Sequence, residues 1–141
     1  MKRLFYIPLL LILLLNCKKD KIDTQPDEIM KPLVGKWHLT ETEETVNGKK
    51  MWVPVTLTTV YVTFRFDGIL LDEKEMVGCC ATKIYNINNT KFEVIPRAAV
   101  PYYDCSTVYC AACPSYDIEF NGNEMIISRC NSARSKYIRV E

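Results

Sequence analysis

Six cysteines lie in the second half of the chain: Cys79 and Cys80 are adjacent, Cys105, Cys110 and Cys113 follow as a group, and Cys130 stands alone. Three chemistries use thiols at such spacings. Six is an even number, and in an oxidising compartment it reads as three disulfides. The two-residue gap in Cys110-Ala111-Ala112-Cys113 is also that of a zinc knuckle, with Cys105 and Cys130 available as further ligands, or of a redox pair. The paired repeat of a zinc ribbon is missing, and no alternation of strands and helices frames a redox site, so disulfides are expected and no metal. Adjacent cysteines rarely bond to each other, which gives Cys79 and Cys80 separate partners. The pairing itself stays open.

Other reactive residues are sparse. His38 is the single histidine, and strand alternation turns it away from the side of Trp37. Glu41, Glu43 and Glu44, or Asp72, Glu73 and Glu75, would supply paired carboxylates, but such runs fit solvated strand faces and loops. Neither a glycine-rich phosphate loop nor a serine elbow occurs. A non-enzymatic protein without a cofactor is expected.

The elements that must carry these residues are strands. Residues 33–40 alternate, with Trp37 and Leu39 against Lys36, His38 and Thr40. In residues 60–66, Val60, Val62, Phe64 and Phe66 share one face, and Asp67-Gly68 then suits a tight turn. Further strands are expected over 69–76, 82–87, 91–95, 116–120, 125–129 and 135–140, with turns at Asn88-Asn89 and Asn121-Gly122. Eight short strands with turn signals between them predict an all-β, eight-stranded, antiparallel up-and-down barrel, in which closure removes exposed edges; a two-sheet sandwich is the alternative.

Gly35-Lys36-Trp37 on the first strand resembles the G-x-W start of the lipocalins. Arg139 in Tyr137-Ile138-Arg139-Val140 stands where that family has an arginine stacked on the tryptophan. The chain as a whole resembles lipocalin-like lipoproteins of Bacteroidetes. That resemblance implies a calycin-like barrel and structural roles for Gly35, Trp37 and Arg139.

At the start of the chain, Lys2 and Arg3 precede an apolar run from Leu4 to Leu15, too short to span a membrane, which takes roughly 20 residues. Leu14-Leu15-Asn16-Cys17 resembles a lipobox, with Asn16 in place of the usual small residue. Residues 1–16 are thus expected to be a lipoprotein signal peptide, 17–32 a lipidated Cys17 and flexible tether, and 33–141 the barrel domain. Lys18 is not the aspartate that resembles an inner-membrane retention signal, so the expected address is the cell envelope, lipid-anchored and on the outer membrane. The whole chain has 18 Lys and Arg and 17 Asp and Glu. Loss of Lys2 and Arg3 leaves the two signs balanced, without an electrostatic footprint for nucleic acid.

Successive connections in an up-and-down chain alternate between its ends. Tight turns therefore gather at one end, and Cys79, Cys80, Cys105, Cys110, Cys113 and Cys130 gather with the long connections at the other. Trp37 and Arg139 fall at the tight-turn end. The expected site is the cysteine rim, where a small apolar or amphipathic ligand would meet Phe64, Phe66, Trp52, Tyr102, Tyr103 and Tyr109. The alternative is an interaction module that docks its stapled rim on an envelope protein.

Overall fold

The computed structural model describes residues 27–56, 59–111 and 113–140. The expected signal peptide, the lipid site at Cys17 and the first part of the tether lie outside the described residues. One sheet holds β1 (Gly35–Val46), β2 (Lys49–Pro54), β3 (Tyr61–Phe64), β4 (Leu70–Leu71), β5 (Ile84–Ile87), β6 (Thr90–Glu93), β7 (Tyr116–Asn121), β8 (Glu124–Ser128) and β9 (Ser135–Val140). Eight of them run in the order β4-β3-β1-β9-β8-β7-β5-β6, and β2 pairs with β1 off that path.

The strand β1 is the hub. One edge pairs with β9 from Lys36 to Thr42, while the other pairs first with β3 over Gly35–His38 and then with β2 over Glu41–Val46. The change of partner falls at Thr40, where the β9 register slips by one residue. Such a bulge bends the strand. The Thr40 carbonyl accepts the Val55 N–H at 2.9 Å.

Alternation builds the core as expected for strands with one wet face. Val62 and Phe64, Tyr85 and Ile87, Tyr116 and Ile118, and Met125 and Ile127 all point inward and are buried. The sheet curls strongly into an open half-barrel: the Phe64 ring on β3 meets the Tyr85 ring on β5 at 5.8 Å, although five ladder steps separate the strands.

The closed, purely antiparallel barrel expected from the sequence is therefore not what forms. Here β5 pairs with β7 in parallel, Tyr85 opposite Tyr116 and Ile87 opposite Ile118. The reason lies in residues 94–115, since a parallel pair needs a crossover of roughly a dozen residues or more. Instead of returning β7 beside β6, this strap crosses the seam between the edge strands β4 and β6. It meets the β4 side through a parallel bridge from Tyr102 to Val77. The strand expected over 69–76 shrinks to Leu70–Leu71, because Asp72 turns the chain by accepting the N–H groups of Lys74 and Met76.

A second difference is the β1–β2 hairpin, in residues expected to be a connection. Asn47 and Gly48 both have positive φ, 52° and 74°, the conformation of a two-residue hairpin turn. The β2 residues are mostly exposed, so no buried alternation marks them as a strand.

The floor is where sequence and structure agree closely. Trp37 is fully buried, its indole N–H donates to the Leu33 carbonyl at 2.8 Å, and Phe120 packs edge-on against it. Arg139 pairs with Trp37 in register and lies 4.4 Å from its ring centroid. The guanidinium also donates to the Val34 and Pro32 carbonyls, which ties the turns over 28–33 beneath the sheet. Those turns insert Met30 and Leu33, both fully buried. Gly35 is required here: its φ is +125°, and an added Cβ would come within 3.2 Å of the Arg139 guanidinium.

Candidate functional site

The end opposite Trp37 carries the sulfur. Cys79 bonds Cys105, Cys80 bonds Cys110, and Cys113 bonds Cys130. The adjacent cysteines do have separate partners. Cys110 and Cys113 belong to different bridges, so the C-x-x-C spacing is not a redox pair. No group of three or more His, Cys, Asp or Glu among the described residues is placed to hold a metal ion. The closed loops have separations of 26, 30 and 17 residues, each worth about 3 to 4 kcal/mol in the loop-entropy view. Three disulfides point to an oxidising, extracytoplasmic environment.

Inside this staple the half-barrel is not filled. A cleft of about 430 Å³ runs along the seam, walled by Leu70, Val77, Tyr85, Val94, Ile95 and Tyr102, with Lys83 and Glu93 at its edge. Its size lies within the roughly 300 to 1,000 Å³ of small-molecule sites. It shares Leu70, Gly78 and Ala81 with a neighbouring hollow of about 260 Å³, where Val62, Leu71, Tyr116 and Arg129 line the wall. A third hollow, of about 540 Å³, adjoins through Val62, Asp72 and Arg129 and reaches Tyr103 and Tyr137. The mouth is thus a run of mostly apolar hollows with few charges.

Of those charges Glu93 ends β6, while Asp72, Glu73, Lys74, Lys83 and Arg129 stand in the connections. Arg129 follows the last residue of β8 with the parity of the buried Met125 and Ile127, and stands exposed at the rim. Its guanidinium lies 5.3 Å from the Tyr116 ring centroid. Burial raises the Tyr85 and Tyr137 hydroxyls above the ordinary tyrosine value, and the charge of Arg129 pulls both back in part. The Asp72 carboxylate is desolvated, which alone would raise its pKa. The 2.5 Å hydrogen bond from the Tyr103 hydroxyl, with the Met76 and Lys74 N–H groups, outweighs that and holds it below the usual carboxylate range.

The strap that walls the seam cleft is pegged at its start by Asp67. Asp67 is buried in the turn after β3 and accepts two hydrogen bonds from Arg65, both 2.7 Å, and a third from the Arg97 N–H at 2.8 Å. Burial alone would raise its pKa, but the Arg65 and Arg97 hydrogen bonds and the Arg65 charge lower it below the ordinary value. Arg65 also donates to the Ala98 and Ala99 carbonyls. At the neighbouring Gly68, φ is +83° and an added Cβ would stand 2.5 Å from the Phe92 ring on β6. Strap, turn and opposite edge strand therefore meet there without a ladder.

The six aromatic residues expected at the mouth do not form one group. Tyr102 lines the seam cleft and is 59% exposed. Tyr103 lines the third hollow. Phe64 is in the core, 1% exposed, behind Tyr85. Phe66 sits at the other end, between Arg65 and Arg97 at 5.7 and 5.2 Å. Trp52 lies on β2, flanked by Arg134 and Lys136 at 5.5 and 4.6 Å, and lines none of these hollows. Tyr109 is fully exposed. Residues not expected at the mouth are Arg129, Tyr85, Leu70 and Ile95. For Arg129 a signal existed, because it shares the parity of Met125 and Ile127. His38, on the outer side of β1, tilts against Tyr61 with ring centroids 5.0 Å apart.

No protein-family model, no curated protein and no solved structure matches this chain.

Proposed function

We propose that this chain is a non-enzymatic, lipid-anchored envelope protein that binds a small apolar or amphipathic molecule in the mouth of its half-barrel. The observation that carries the reading is the seam cleft of about 430 Å³, apolar on most sides and held open by the Cys79–Cys105 bridge and the strap. A lipocalin-like lipoprotein is the family reading behind it, supported by the Trp37–Arg139 stack at the floor. The anchor is Cys17, and the outer membrane is its proposed site.

The test is titration with Nile red, an uncharged apolar dye. Ile95 lines the cleft and is 65% exposed, so Ile95→Glu spoils an apolar wall without emptying the core. It should weaken dye binding at least fivefold at unchanged melting temperature. Dye binding that is absent, or that ignores the substitution, contradicts the reading. Mass spectrometry of protein from its own envelope tests the anchor separately, and an unmodified Cys17 removes it.

A second reading, docking on an envelope protein, is favoured by one observation. Tyr109 is fully exposed and Val108 is 46% exposed, on a loop that Cys110 staples to Cys80. A rigid, exposed aromatic of this kind suits an interface anchor.

A further inference from the structure

Five arginines lie among the described residues, and four have engaged guanidinium groups. Arg65 holds Asp67, Arg97 donates to the Phe66 carbonyl, Arg134 donates to Glu119, and Arg139 donates to the Val34 carbonyl. The Arg129 guanidinium has neither a hydrogen bond nor an ion pair among the described residues; its contact is the face of Tyr116. It stands just past the end of β8, exposed at the rim, and forms part of the wall of two adjoining hollows.

The acidic groups around it are already turned to donors of the protein. Asp72 accepts from Tyr103 and from the Lys74 and Met76 N–H groups, and Glu73 accepts the Tyr61 N–H at 3.1 Å. Lys74 stands with them in the third hollow. The mouth therefore has one open guanidinium fork over an apolar floor of Val62, Leu70 and Leu71. A guanidinium matches a carboxylate through two parallel, charge-assisted hydrogen bonds.

We propose that Arg129 receives the carboxylate of a singly charged amphiphile whose apolar chain passes Leu70, Gly78 and Ala81 into the seam cleft. The inference rests on the ligand-binding function proposed above. Those three residues belong to both hollows, so one molecule can fill both. Asp72 and Glu73 in the same mouth set the limit of one negative charge, because a dianion would face both.

The test is calorimetric titration of the purified protein with decanoate, decanol and decyl phosphate, for wild type, Arg129→Gln and Arg129→Lys. Decanoate should bind wild type about tenfold or more tighter than decanol, the span expected of a charge-assisted hydrogen bond. Arg129→Gln should erase that preference and leave decanol affinity within twofold, and Arg129→Lys should keep part of it. Equal affinities for decanoate and decanol in wild type, or equal weakening of both in Arg129→Gln, overturns the role of Arg129 while the apolar site stands. Tighter binding of decyl phosphate overturns the single-charge assignment. Failure of all three probes to bind overturns this inference and the ligand-binding function together.

Discussion

The two ends of the half-barrel are held by different physics. At the floor, Trp37, Met30 and Leu33 are fully buried, and Arg139 closes the ring face with its guanidinium in hydrogen bonds to carbonyls. Side chains from the first and last strands and the preceding turns fill the space, so nothing covalent is needed. At the rim, long connections bury little, and three disulfides do what packing does at the floor. Filling and stapling leave different things behind. The filled end closes its interior on Trp37, Met30 and Leu33, whereas the stapled end keeps its shape while its interior stays partly hollow.

Substitutions at each end should separate those roles. Trp37→Ala removes a large buried ring and should cost about 3 to 5 kcal/mol in chemical denaturation. Under conditions where the variant remains folded, Nile red affinity should stay within twofold, because no hollow of the mouth includes Trp37. Replacing Cys113 and Cys130 together by serine should cost about 3 kcal/mol. Here dye affinity should fall as well, since the bridge fixes the ends of β7 and β8 beside Tyr116 and Arg129. A ligand effect from the floor variant and none from the rim variant would reverse the assignment of the two ends.

The peg at Asp67 should give the next effect. Asp67→Asn should cost about 2 to 3 kcal/mol at neutral pH, because Arg65 keeps its charge in a largely buried place. The sign with pH follows from a folded-state pKa below the ordinary aspartate value. The ion-pair stabilisation is fully present above an unfolded pKa near 4. It fades as pH falls through the lower folded value. The stability gap between wild type and Asp67→Asn should therefore be level from neutral pH down to about pH 4 and shrink below it. A gap that widens on acidification would contradict the peg. The smallest effect is expected at Tyr109→Ser, within about 0.5 kcal/mol of wild type, since the ring makes no buried contact. Loss of capture of an envelope partner by this variant, at full stability, would favour the docking reading over ligand binding.

Much of the floor was legible in the sequence because it depends on short-range rules. The alternation of β3, β5, β7, β8 and β9 and the turn residues at three hairpins placed those strands within a few residues. Gly35, Trp37 and Arg139 then fell together. The gathering of the cysteines at one end followed from the same parity, and three disulfides formed there. What alternation could not carry was the route of residues 94–115. Whether that segment returns β7 beside β6 or passes over the seam is decided by long-range contacts, at Asp67 and Val77, that leave no periodic trace. The Asn47-Gly48 turn was a local signal obscured by the solvated β2 that follows it. At the mouth, aromatic residue type was a poor guide, since Phe66 and Trp52 are covered by arginines or lysine elsewhere. The inward parity of Arg129 was the better signal.

The most direct measurement is an amide and indole chemical-shift map of the protein titrated with decanol, an uncharged probe. If the hollow rim is the site, the N–H signals of Leu70, Val77, Gly78, Thr82, Lys83 and Tyr102 should move together while the Trp37 indole N–H stays in place. Movement of the Trp37 indole with the rim unmoved, or no movement at either end, would contradict the division into a filled floor and a receptive mouth.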